Sequence, residues 1–163
     1  MDILVSGSMA YDRIMDFDGK FSDHILPDQL DNINVSFTVN SLTENFGGTA
    51  GNIAYSLSLL GEKPRILATI GQDYHRYFEW LDQIGVPTAD IRVVEEELTA
   101  GAYITSDTQN NQITGFNPGA MKQQSGFDFD SIDPENCLAI VAPGNLGDMA
   151  DYTAEYEKRG IFS

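Results

Sequence analysis

The sequence predicts an α/β fold on a parallel sheet, and three observations carry that prediction. Short apolar runs alternate with segments of helical period, glycines stand where those helices end, and the polar pieces between alternate at period two. Ile3-Leu4-Val5 stops at Ser6-Gly7-Ser8 and reads as a buried strand entering a loop. From Tyr11 to Phe46 the chain mixes Asp, Asn and Ser with two alternating pieces, residues 12 to 17 and 34 to 39, which read as half-exposed strands. Gly47-Gly48-Thr49 opens a helix whose Ile53, Leu57 and Leu60 share a face, closed by Gly61. A buried strand follows from Ile66 to Ile70. Tyr77, Leu81 and Ile84 then mark a second helix, ended by Gly85 with Pro87 beyond, and a further strand is expected over 91 to 94.

Residues 102 to 105 and 112 to 116 form a predicted hairpin across the polar turn 106 to 111. Leu138 to Val141 reads as a buried strand. Asp148 to Lys158 reads as a helix with Met149, Tyr152 and Tyr156 on one face and Gly160 at its end. Ile161-Phe162-Ser163 then stands where the alternation calls for another parallel strand. The expectation is therefore an incomplete core.

Composition narrows the function. The 163 residues carry 9 Lys and Arg against 25 Asp and Glu, a formal charge of −16. Such a chain is repelled by nucleic-acid polymers and by anionic membrane surfaces. Its apolar stretches are too short to span a bilayer, and Met1-Asp2-Ile3-Leu4-Val5 is no basic leader, so a cytoplasmic location is expected. The single cysteine, Cys137, lies in an apolar run and reads as a small buried hydrophobe. Neither a dinucleotide fingerprint nor a P-loop is present, since Gly19-Lys20 is followed by Phe21. His24 and His75 have no metal-ligand spacing. The acidic run Asp128 to Asp133 fails as a calcium loop, because Asp133 stands where glycine is needed, and Asp133-Pro134 reads as a turn or helix start.

The strongest constellation is Asn45-Phe46-Gly47-Gly48-Thr49-Ala50-Gly51-Asn52. Three glycines within five residues let backbone approach a ligand, and the helix start supplies free N–H groups. Asn52, one turn in, offers an amide that both donates to and accepts from a hydroxyl. Asp12, a short loop after the first strand, can reach the same pocket, since ligands of open α/β sheets bind beyond the strands' carboxyl ends. A tight packing turn at the glycines and a turn role for Asp12 are the competing structural readings.

Together, Gly7-Ser8-Met9-Ala10-Tyr11-Asp12 and Phe46 to Ala54 running on to Leu59-Leu60-Gly61 resemble the N-terminal half of a ribokinase/PfkB-family sugar kinase. Asp23 to Asp28, Asn34 to Phe37 and Asn111 to Met121 are similar to the family's bacterial nucleoside (adenosine) kinase branch. The resemblance implies a ribokinase-like parallel core with a small β-sheet lid, its strands within about 13–46 and 98–118. It implies phosphoryl transfer from ATP, with Mg²⁺, to a ribose 5′-hydroxyl. It places Asp12, Gly48 and Asn52 at the sugar hydroxyls, with Gly47 keeping the backbone close, and Phe116 and Tyr103 as lid residues facing the base, with packing of the lid's own inner face as the alternative for both, Tyr103 above all. Thr49 stands where sugar-phosphate members carry a lysine, which favours an unphosphorylated nucleoside or sugar. Paired lids would make a homodimer.

The family's catalytic Gly-x-Gly-Asp motif is absent. Gly144-Asn145-Leu146-Gly147-Asp148 has one residue too many between its glycines, and reads as a loop with Asp148 as the helix cap. The expectation is a fragment holding the sugar half-site, with the ATP half absent, inactive by itself. The alternative is a non-catalytic nucleoside-binding or assembly module.

Overall fold

The computed structural model describes residues 1–25, 31 and 34–163. Its first sheet holds β1 (Asp2–Ser6), β4 (Arg65–Gly71), β5 (Ile91–Val94) and β8 (Cys137–Val141), in the order β5-β4-β1-β8 and parallel throughout. Its strands are buried on both faces. Ile3, Val5, Ile66, Ala68 and Ile70 pack on one side with α1 (Thr49–Leu59) and α2 (His75–Gln83). Leu4, Leu67 and Ala139 pack on the other with Tyr152 and Tyr156 of α3 (Leu146–Arg159). Alternation along each strand thus feeds two cores, giving a helix-sheet-helix sandwich.

The second sheet is mixed. Its strands β2 (Ala10–Asp16), β3 (Ser41–Gly47), β6 (Ala100–Ser106) and β7 (Gln112–Asn117) run in the order β3-β2-β6-β7. β2 pairs antiparallel with β3 and parallel with β6, and β6 and β7 form the expected hairpin. At the hairpin tip the buried Asp107 carboxylate accepts from the backbone N–H groups of Phe21, Gln109 and Asn111 and from the Asn111 amide. Burial alone raises its pKa, but these donors together hold it down at about 2.

Two expectations need correction. Residues 34 to 39 form no strand, and the strand lies later, at Ser41–Gly47. Their alternation has another cause: Phe37 packs on Phe17 and Phe21, with ring centroids 4.7 and 5.5 Å apart, so the period serves a small aromatic cluster under a loop. Nor does Asp148 cap α3. Asn145 does, its side-chain oxygen accepting from the N–H groups of Gly147 and Asp148, while Asp148 lies buried in the first turn and accepts from the Ser125 N–H.

Helix ends follow the sequence reading. Gly61, Gly85 and Gly160 all adopt positive φ just past α1, α2 and α3. Asp133 caps a 3₁₀ turn begun by Pro134, and Cys137 is buried. Phe162 pairs parallel with Leu138 on the outer edge of β8. Of the resembling segment 23 to 28, Leu26 to Asp28 lie outside the described residues. Among the described residues no helix is long and apolar enough to cross a membrane.

Candidate functional site

β1 lies between β4 and β8, and helices leave its two sides toward opposite faces of the sheet. This is the switch point beyond whose carboxyl ends open α/β folds bind ligands. Here the loop after β1 meets the start of α1 and the loop after β8. Ser8 N–H donates to Pro143 O at 3.1 Å, Thr49 N–H donates to Ser8 Oγ at 2.9 Å, and Thr49 Oγ1 donates to Pro143 O at 2.6 Å. The Ser8–Thr49 lock holds the helix N-terminus over the sheet. Thr49 is spent on structure, its N–H and hydroxyl both engaged.

The double glycine has two separate geometric jobs. Gly48 has φ +90° and ψ 148°, a region that side-chain-bearing residues hardly enter, and a Cβ there would lie 2.5 Å from Ser8 O and 2.8 Å from Met9 Cα. Gly47 closes β3, paired with Ala10, and a Cβ on it would overlap the Asp12 carboxylate. The carboxylate therefore lies over bare backbone. Tyr77 of α2 donates its hydroxyl to Gly47 O at 2.7 Å from beneath, and no Cβ can stand at Gly51 without striking that hydroxyl. Tyr77 was not evident as a site support in the sequence, where it read only as an apolar helix position. Burial raises its pKa strongly, so it remains a neutral donor.

Asp12 sits mid-strand in β2 and is half-buried. Burial raises its pKa above 3.8, and among the described residues its carboxylate receives no side-chain or backbone hydrogen bond. Asn52 is exposed one turn into α1, its N–H bonded to Gly48 O and its amide side chain likewise without a partner. Tyr11, next to Asp12 in β2, points the other way into the core, donating to Asp73 O at 3.0 Å, with its pKa raised to about 12 by burial and by Asp73 and Glu44.

Register decides which lid-strand residues join Asp12. Asp12 pairs with Asn45 on β3 and Ala102 on β6, and Ala102 pairs with Phe116 on β7. Directly paired residues project from the same face, so Asn45, Asp12, Ala102 and Phe116 form one row. Phe116 is 52% exposed on that face. Tyr103 is one residue out of phase, and the structure does not bring it to the row. It lies on the opposite face with Arg13, whose guanidinium stacks 5.1 Å from its ring centre and donates to its hydroxyl at 3.1 Å. Arg13 and Arg76 both bind Glu44, tying this face to α2.

The turn Gly144 to Asp148 is consumed internally. Asn145 caps α3 with its oxygen and donates its amide to Met121 O and Lys122 O. Among the described residues no group of three or more His, Cys, Asp or Glu side chains is arranged to hold a metal ion.

A carboxylate over a double-glycine turn, set at the switch point of a parallel sheet and flanked by a second small sheet, fits a ribokinase-like carbohydrate kinase fold. The chain belongs to the pfkB family of carbohydrate kinases, whose model matches residues 3–143. It is similar to the structure of a Burkholderia thailandensis nucleoside kinase in complex with inosine, at 41% identity and TM-score 0.78, covering 98% of this chain and 50% of that one. The Methanocaldococcus jannaschii nucleoside kinase, described as an archaeal member of the ribokinase family, aligns at 26% identity and TM-score 0.74, covering 94% of this chain and 48% of that one. By sequence, a nucleoside kinase of Methanothermobacter thermautotrophicus is 28% identical over 123 residues, 74% of this chain and 37% of that protein. The chain spans about half the length of the solved structures, and less of the curated relatives, that it matches.

Proposed function

We propose that residues 1–163 form the acceptor-binding half of an ATP-dependent nucleoside kinase. Asp12 accepts hydrogen bonds from the vicinal hydroxyls of a ribose, Asn52 complements them with its amide, and Gly47 and Gly48 let the sugar lie against the backbone. Phe116 lies in the Asp12 row, two strands away, about 10 Å at ordinary strand spacing, which suits a base attached to that ribose. The observation that carries the reading is this row: a carboxylate, a small alanine and an exposed aromatic ring in line on one sheet face. A free sugar would use only its polar end.

Closing the second sheet over the nucleoside would exclude water, which keeps a phosphoryl donor from simple hydrolysis. The glycine-containing turn Gly144 to Asp148 has its polar groups engaged in capping α3 and bonding Met121 O and Lys122 O, so this reading gives it no part in binding ATP. In this reading the chain supplies acceptor binding and orientation, and residues 1–163 lack the Gly-x-Gly-Asp motif to which the family resemblance assigns phosphoryl transfer. A cytoplasmic enzyme acting on a soluble, uncharged acceptor fits the absence, among the described residues, of a helix able to cross a membrane.

Calorimetric titration of adenosine and of ribose tests this. The folded chain is expected to bind adenosine more tightly than ribose, Asp12→Ala is expected to weaken adenosine at least roughly tenfold, as for loss of a charge-assisted contact, and no ATP-dependent phosphorylation is expected. Adenosine binding indifferent to Asp12→Ala, or turnover by this chain that Asp12→Ala abolishes, would overturn the corresponding part.

A further inference from the structure

The row of Asp12 has a second polar member. Asn45 is the direct antiparallel partner of Asp12 and shares its face, with Cβ atoms about 5 Å apart at ordinary pairing geometry. It is exposed, and its side-chain amide makes no hydrogen bond among the described residues. Asparagine is a poor strand residue, yet here it stands inside a seven-residue strand, between Glu44, which is held by two arginines, and Phe46, which packs on Trp80. Folding gives it no evident work. Two positions on along the same face comes Gly47, so nothing stands between the amide and the space over the double glycine. On the other flank of Asp12 the row continues through Ala102 to Phe116 and is apolar.

We propose that Asn45 is a specificity-determining residue of the acceptor site, binding one of the two vicinal ribose hydroxyls beside Asp12. This rests on the nucleoside reading above. A carboxylate is acceptor only, so a diol held by Asp12 alone must donate from both hydroxyls to one group. An amide beside it donates as well as accepts, and so gives one hydroxyl an acceptor and a donor of its own. That arrangement discriminates, because an analogue lacking the hydroxyl leaves the amide facing the ligand unpaired. The polar flank of the row reads the diol, and the apolar flank takes the base.

The test is a cycle between residue and ligand on the full chain. Adenosine, 2′-deoxyadenosine and 3′-deoxyadenosine are titrated into wild type, Asn45→Ala and Asn45→Thr, with thermal melts run alongside. Asn45→Ala is expected to weaken adenosine roughly three- to tenfold, as for one neutral hydrogen bond, and to leave one of the two deoxy analogues within about twofold of its wild-type affinity. Asn45→Thr, which favours the strand and keeps a hydroxyl, is expected to retain part of the discrimination, and both variants are expected to melt within a few degrees of wild type. An Asn45→Ala variant that weakens all three ligands alike, or none, overturns the assignment while leaving the nucleoside site standing. A wild type that binds none of them overturns the site itself, and Asn45's role with it.

Discussion

Gly47 and Gly48 are adjacent and chemically identical, yet their lack of a side chain serves different ends, and substitution separates them. At Gly48 the backbone itself needs glycine, since φ is +90° and the nearest obstructions are backbone atoms of Ser8, Met9 and Ala10, which cannot step aside. Gly48→Ala is expected to cost on the order of 1–3 kcal/mol for the conformation alone, with more for the clash. At Gly47 the obstruction is the far end of the Asp12 side chain, which can rotate away. Gly47→Ala is therefore expected to fold nearly as well as wild type while losing nucleoside affinity, because the carboxylate is displaced. Denaturant melts and calorimetry on both variants check the contrast; equal losses of stability would refute it. The sequence made both glycines visible through their spacing before a helix. It showed nothing of the face on which Tyr103 would fall. A one-residue phase in the β2–β6 pairing puts Arg13 opposite Tyr103 and Asp12 opposite Ala102, and that phase is a tertiary fact.

At the scale of elements, the site depends on how α2 props the turn between β3 and α1. Tyr77 is fully buried, touches Tyr11 and Phe46 of the second sheet, and donates to Gly47 O, the last carbonyl of β3. Gly51 exists to admit its hydroxyl. Tyr77→Phe is expected to destabilise by about 1–3 kcal/mol, because a buried carbonyl loses its donor. Gly51→Ala is expected to be worse, since the new methyl strikes the hydroxyl, but the two together are expected to be less damaging than their sum: without the oxygen, the nearest ring atom stands 3.2 Å from the methyl. Additive losses in chemical denaturation would show that the contact does not govern Gly51. The helices and core strands were legible because their periods and glycine ends agree with their packing. β3 was not, because Val35, Phe37 and Val39 alternate in burial and imitate a strand along a loop, where Phe37 packs on Phe17 and Phe21. Period two measures which residues alternate in burial, and a loop laid over an aromatic patch alternates too.

For the whole molecule the outstanding property is charge. Of the nine cationic side chains, Arg13, Arg65, Arg76, Lys122, Lys158 and Arg159 sit in ion pairs among the described residues, so most of the excess carboxylates face water without a counter-charge. A net −16 on a chain this size opposes compaction and surrounds the site with negative potential. The potential hardly acts on an uncharged nucleoside but repels the same molecule once it bears a phosphate. The proposed acceptor site offers no lysine after the double glycine to offset this, since Thr49 stands there and is bonded to Pro143. Added salt is thus expected to raise the melting temperature between low and about 0.15 M ionic strength, where the screening length falls to about 8 Å. Over the same range the affinity for adenosine is expected to stay nearly constant, while that for adenosine 5′-monophosphate rises from a weak starting value. Titration of both ligands across a salt series measures the difference. Parallel salt dependence of the two affinities would show that the acidic surface lies too far from the site to distinguish an acceptor from its phosphorylated product.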